Sequence, residues 1–69
     1  MLLNKLKKGQ VVKFVYQDGR PLLGRVVRNR EGRATLAPVD ARGIRLMAKR
    51  VDITDEEGNI MEVNGRALY

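Results

Sequence analysis

The stretch Gly24–Leu36, "GRVVRNREGRATL", decides how this chain is read. Its apolar residues alternate with polar ones as a half-buried strand requires, and Arg30-Glu31-Gly32 breaks the alternation with a turn, so the stretch predicts a β-hairpin. Around the tip stand Arg25, Arg28, Arg30 and Arg33 against a single acid, Glu31. Either the tip is an ordinary solvated one, or the arginines grip something anionic.

Upstream, "QVVKFVY" (Gln10–Tyr16) puts Val12, Phe14 and Tyr16 on one face and Val11, Lys13 and Val15 on the other. Asp18-Gly19 then marks a tight turn. In "LLGRVVRN" Leu22, Gly24 and Val26 share a face. A glycine inside a strand predicts a bend or bulge, as needed where one long strand serves two halves of a small barrel. Downstream, Pro38 cannot donate to a ladder, so the strand from Arg33 ends there or lies at an edge. "DARG" (Asp40–Gly43) is the third turn. The run Ile44–Ile53 predicts a strand with Ile44, Leu46 and Ala48 inward and Arg45, Met47 and Lys49 outward. A bulge or single 3₁₀ turn near Lys49–Arg50 would bring Val51 and Ile53 back into register. "DEEGN" makes the last turn and "IMEV" the last strand. At the start of the chain, Leu2, Leu3 and Leu6 fit a short amphipathic helix that Gly9 ends. The prediction is an all-β single domain over residues 1–69, a five-stranded SH3-like or Sm-like small barrel with a short N-terminal helix. An OB-fold, which needs longer strands, ranks second.

Composition narrows the function. Sixty-nine residues support one small core, and with no cysteine or histidine the chain has neither disulfides nor the commonest metal ligands. An apolar fraction of 43% argues against a disordered tail. No apolar run is long enough for a membrane span or a secretory signal, so no membrane partner and a cytoplasmic location are expected. Charge is the strongest signal. Residues 1–50 carry thirteen Lys/Arg against three acids, whereas residues 51–69 carry one against five, within a net +6. That asymmetry predicts a basic surface suited to phosphate backbones or an acidic partner.

Residues 11–54 resemble the WYL-type domain, an Sm/SH3-like barrel. "VKFVYQDGR" resembles its opening strand and Asp-Gly turn, "RATLAPVD" aligns with its naming motif, and "GIRLMAKRVDI" is similar to its arginine-containing strand. Ala34 and Thr35 stand where that motif has Trp and Tyr, and Lys49 stands where an acid is common. The resemblance implies a regulatory domain sensing nucleic acid or nucleotide ligands, with Arg45 and Arg50 matching the family's arginines. Such domains often adjoin a DNA-binding helix-turn-helix, which this sequence lacks. A small bacterial or phage accessory protein would fit.

Catalysis is not expected: without His, Cys or Ser, only Thr35, Thr54 and the tyrosines offer hydroxyls. The acids Asp52, Asp55, Glu56 and Glu57 lack the ligand order of a calcium loop and read as a solvated turn, so neither metal nor cofactor is expected. The glycines at 19, 24, 32 and 43 mark turns and a bend, not a phosphate-cradling loop. The basic face remains. Parity sends Lys13, Arg25, Arg45 and Lys49 outward, Arg28, Arg30 and Arg33 flank one tip, Arg42 stands at another, and Arg50 follows. Nine arginines to five lysines favour bidentate contact with phosphate. Few aromatics are available for base stacking. Phe14 and Tyr16 are expected in the core and Tyr69 at the end, so backbone contact with DNA or RNA is favoured over base readout. The competing expectation is a protein-interaction or homo-oligomeric module. It would use the barrel edge, an acidic protein partner, or an apolar anchor of Met1, Leu2, Leu3, Leu6 and Met47.

Overall fold

The computed structural model describes residues 3–68; Met1, Leu2 and Tyr69, named above as anchors or a stacking group, lie outside them. A 3₁₀ turn, η1 (Leu3–Lys5), precedes six strands: β1 (Val11–Tyr16), β2 (Pro21–Arg30), β3 (Arg33–Pro38), β4 (Val51–Thr54), β5 (Gly58–Val63) and β6 (Arg66–Ala67). They form one antiparallel sheet in the order β4-β3-β2-β1-β5-β6.

The ten-residue β2 is the spine. It pairs with β1 from Pro21 to Arg25 and with β3 from Gly24 to Arg30, so Gly24 sits where the two ladders overlap. A Cβ there would stand 2.7 Å from that of Leu36, which explains the glycine by close approach. Val26 opposes Leu36 and Arg28 opposes Thr35, leaving Val27 as an extra residue; Met61 is likewise extra opposite Lys13 and Phe14. These two bulges increase the twist, and the sheet curls into a body of 26 × 23 × 21 Å, where a flat sheet layer would be only about 10 Å thick.

The fold is all-β as expected, but the five-stranded small barrel is corrected to an open six-stranded sheet. Its edges, β4 with four residues and β6 with two, share no ladder, and closure would need edge strands long enough to pair. The sixth strand follows a two-residue turn at Asn64 and Gly65, with φ of 53° and 79°, which sets Val63 opposite Arg66. This is the same mirror-image turn that Glu31 and Gly32 make between β2 and β3, with φ of 52° and 77°. The leading helix is a single 3₁₀ turn among the described residues. Leu3 and Leu6 lie three apart, one 3₁₀ turn, and the segment is too short to nucleate an α-helix.

The largest correction falls on Ile44–Ile53. Only Val51–Thr54 is a strand; upstream, Val39 and Arg45 form an isolated bridge, and Leu46 N–H donates to the Pro38 carbonyl at 3.0 Å. Val51 opposes Leu36, so the four residues 47–50 span the single β3 position at Ala37. Ile44 and Leu46, predicted inward, are exposed. Ile44 bonds to Asp40 and Leu46 to Pro38, at and beyond the proline-terminated end of β3, while Val51 and Ile53 take the places opposite Leu36 and Ala34. The core comprises Leu3, Leu6, Val12, Phe14, Val26, Ala34, Leu36, Ile53 and Ile60. Tyr16, predicted in the core, is half-buried, edge-on to Phe14 at 5.0 Å with the Arg20 guanidinium 4.7 Å above its ring.

Candidate nucleic-acid interface

The mirror-image turn after Arg30 matches the twist of β2 and β3 and brings Arg30 directly opposite Arg33. Because of the Val27 bulge, Arg25 and Arg28, three apart, both point outward, while Asn29 turns inward opposite Ala34. β4 adds Asp52 beside Thr35 and Thr54 beside Arg33. The outer face of this corner is a cleft of about 330 Å³ lined by Arg28, Arg30, Glu31, Arg33, Thr35 and Asp52. Asp52 accepts the hydroxyl hydrogen bond of Thr35. None of the three guanidinium groups forms an ion pair with any described residue. Like charges directly opposite one another across an antiparallel pair are destabilising, so Arg30 and Arg33 repel one another and an anion between them would relieve it.

The other predicted residues divide differently. Arg25 is exposed yet occupied: its guanidinium donates to the carbonyls of Gly9 at 2.9 Å and Gly43 at 3.3 Å, tying the 40–43 turn to the chain before β1. Arg42 is held by Asp40 at 3.1 Å. Lys13 lies in register with Glu62, in a smaller cleft with Leu23 and Ala41. Arg45 and Lys49 line a shallow, largely apolar depression with Leu46, Met47 and Ala48, and Arg50 is exposed just before β4. The structure thus brings Arg28, Arg30 and Arg33 together and sets Arg45 and Lys49 apart from them. Lys13, Arg25 and Arg42 have other neighbours. Thr35 and Asp52 were not predicted at the cleft, because only the β3–β4 register puts them there. Outward parity on each strand was the one signal available.

Two aspartates shape the turns beside these cations. Asp40 accepts backbone hydrogen bonds from Ile44 at 3.0 Å and Arg42 at 2.9 Å, and the Ile44 bond foremost holds its carboxyl below the ordinary carboxylate value. Asp18 is lowered in the same sense, chiefly by the Arg20 backbone N–H, with the Arg20 side chain at 2.7 Å adding to it. Among the described residues no three acids are grouped so as to hold a metal ion, and no helix is long and apolar enough to cross a membrane. Comparison with protein-family models, curated proteins and solved structures finds no match to this chain.

Proposed function

We propose that this chain is a nucleic-acid-binding module, accessory or regulatory in role and without catalysis of its own, that holds the phosphate backbone with the outer face of its β2–β3 hairpin. One observation carries the proposal: Arg30 opposite Arg33, with Arg28 beside them on the same face, and none of the three neutralised by a described acid through an ion pair. Guanidinium groups present a planar fork of donors that matches phosphate, and the charge-assisted bonds they make are roughly twice as strong as neutral ones. The Thr35 hydroxyl adds a further polar group. Asp52 and Glu31 lie in the same cleft and limit its charge, which favours an extended polyanion lying across the corner over a small anion enclosed in it.

The competing reading, an adaptor for an acidic protein, draws on the exposed Ile44, Leu46 and Met47. It loses the N-terminal anchor as far as that is described, because Leu3 and Leu6 are buried in the core.

The test is an anisotropy titration of labelled single-stranded DNA, duplex DNA and RNA at two salt concentrations, on the natural chain and on a variant with Arg28, Arg30 and Arg33 all changed to Gln. The variant keeps the fold, loses at least about tenfold in affinity at low salt, and has a log–log salt slope shallower by about 2 to 3. Equal affinity and slope in the two proteins, or no binding by the natural chain at low salt, would overturn the proposal.

A further inference from the structure

After the 40–43 turn the chain leaves the sheet with its apolar side chains outward. Between Leu46, bonded to Pro38, and Val51, opposite Leu36, the chain runs out through Met47, Ala48, Lys49 and Arg50. Met47 at the apex is fully exposed at 107%, with Ile44 at 54% and Leu46 at 44% beneath it. The base is fixed by the Val39–Arg45 bridge, the Leu46–Pro38 bond and the Arg25 guanidinium on Gly43, so the apex projects from a braced stem. Around the apolar tip stand Arg45, Lys49 and Arg50, and between Asp40, which is engaged by Arg42, and Asp52 there is no acid.

We infer that the loop 44–50 is a wedge for duplex DNA, with Met47 entering between two base pairs and Arg45, Lys49 and Arg50 on the flanking phosphates. The inference rests on the phosphate-binding reading above. The charges fit a partner anionic on both sides of an apolar slot, and a stacked base step bordered by phosphates has that form. Methionine is among the side chains that proteins insert there, unstacking the step and bending the duplex. Duplex is favoured over single strand because a stacking platform is missing among the described residues: Phe14 is buried, and Tyr16 is packed between Phe14 and Arg20. The loop and the arginine cleft can engage one duplex together. Met47 and Asp52 in the cleft are five positions apart in the chain, a span of at most about 18 Å. The step entered should be a pliable one such as TA, which unstacks most readily.

The experiment uses the whole chain and a short duplex with 2-aminopurine beside a central TA step and a donor–acceptor dye pair at its ends. Saturating natural protein should raise the 2-aminopurine fluorescence severalfold and shorten the end-to-end distance. Met47→Gln, at a position with no packing to lose, should bind about tenfold more weakly, keep the salt slope and abolish both signals, while Met47→Leu retains them. Salt-dependent binding with neither signal would overturn the wedge and leave the phosphate grip standing. An absence of binding to any duplex at low salt would overturn the wedge, and an absence of binding to single-stranded DNA and RNA as well would overturn both. Met47-dependent binding to phosphatidylserine vesicles, without distortion of the duplex, would overturn the wedge in favour of a membrane surface.

Discussion

Gly58 is the residue whose replacement the fold tolerates least. A Cβ at this position would overlap the Val15 carbonyl oxygen and come within 2.8 Å of the Tyr16 Cα and 2.9 Å of the Phe14 ring, because β5 begins here paired with β1, Gly58 opposite Tyr16, beside the largest buried side chain. Backbone on one side and a packed ring on the other cannot both yield. Gly24 is a milder case, since its Cβ would meet the Leu36 side chain as well as backbone. Gly58→Ala should therefore cost about 3 kcal/mol or more and Gly24→Ala about 1–3 kcal/mol, read from urea midpoints at constant slope. Equal midpoints for Gly58→Ala and the natural chain would mean that the start of the β1–β5 ladder is looser than described. The sequence marks Gly24 as a bend, but at Gly58 it offers only a turn composition, because the clash comes from a strand more than forty residues away.

At the scale of elements, η1 depends on one side chain. Asn29, turned inward by the Val27 bulge, donates from its amide to the carbonyls of Leu3 and Leu6, the second at 2.9 Å, adding to the Leu3 carbonyl's own bond from Leu6 N–H and satisfying the Leu6 carbonyl beyond the turn. This docks Leu3 and Leu6 over β2 and β3 and covers one end of the core. Asn29→Asp keeps the shape but removes the donor and places a carboxylate against two carbonyls. A loss of about 1–3 kcal/mol is expected, with amide exchange of Leu6 and Gly9 rising more than that of the β1–β2 ladder. Uniform exchange changes across the sheet would contradict this local role. The bulge is thus what separates binding from structural residues on β2. Beyond it Arg28 and Arg30 face out and Asn29 faces in, whereas simple alternation from Arg25 would have given the reverse.

On the scale of the whole molecule, charge governs behaviour in solution. The chain holds fourteen cationic side chains against eight carboxylates. The fold favours the ionised forms of Asp18 and Asp40, Asp18 foremost through the Arg20 backbone N–H and Asp40 through that of Ile44. Their folded values lie below their unfolded ones. The stability they contribute is therefore present above the unfolded value of about 3.9 and is lost as pH falls through the lowered folded values. Acidification also leaves the cations without opposing charge, which adds self-repulsion. The thermal midpoint should accordingly be flat from pH 7 to about 5 and fall below about 4, and the fall should be smaller in a chain carrying Asp18→Ala and Asp40→Ala. An identical acid limb in both proteins would remove the two turns from the account.

Local β-structure was legible in the residues alone: the faces of β1 and the first half of β2, the hairpin tip at Glu31-Gly32, the end of β3 at Pro38 and the basic excess of the first fifty residues. These follow from period-two alternation, turn dipeptides and charge, which act over a few residues. The Asn64-Gly65 turn was equally legible as a dipeptide, yet the two-residue β6 beyond it is too short to have a pattern. Which arginines converge was set by the packing of the folded chain. The register of β3 on β4 brings Thr35 and Asp52 to Arg28, Arg30 and Arg33, while Arg25 is drawn to the carbonyls of Gly9 and Gly43. It also decided the fate of Ile44 and Leu46, whose alternation is that of a buried strand. A small core has a fixed volume, and once Leu3, Leu6, Val51 and Ile53 are packed in and around it, the 44–50 segment has nowhere to go but outward. That competition is settled between residues far apart in the chain, and no local pattern records it.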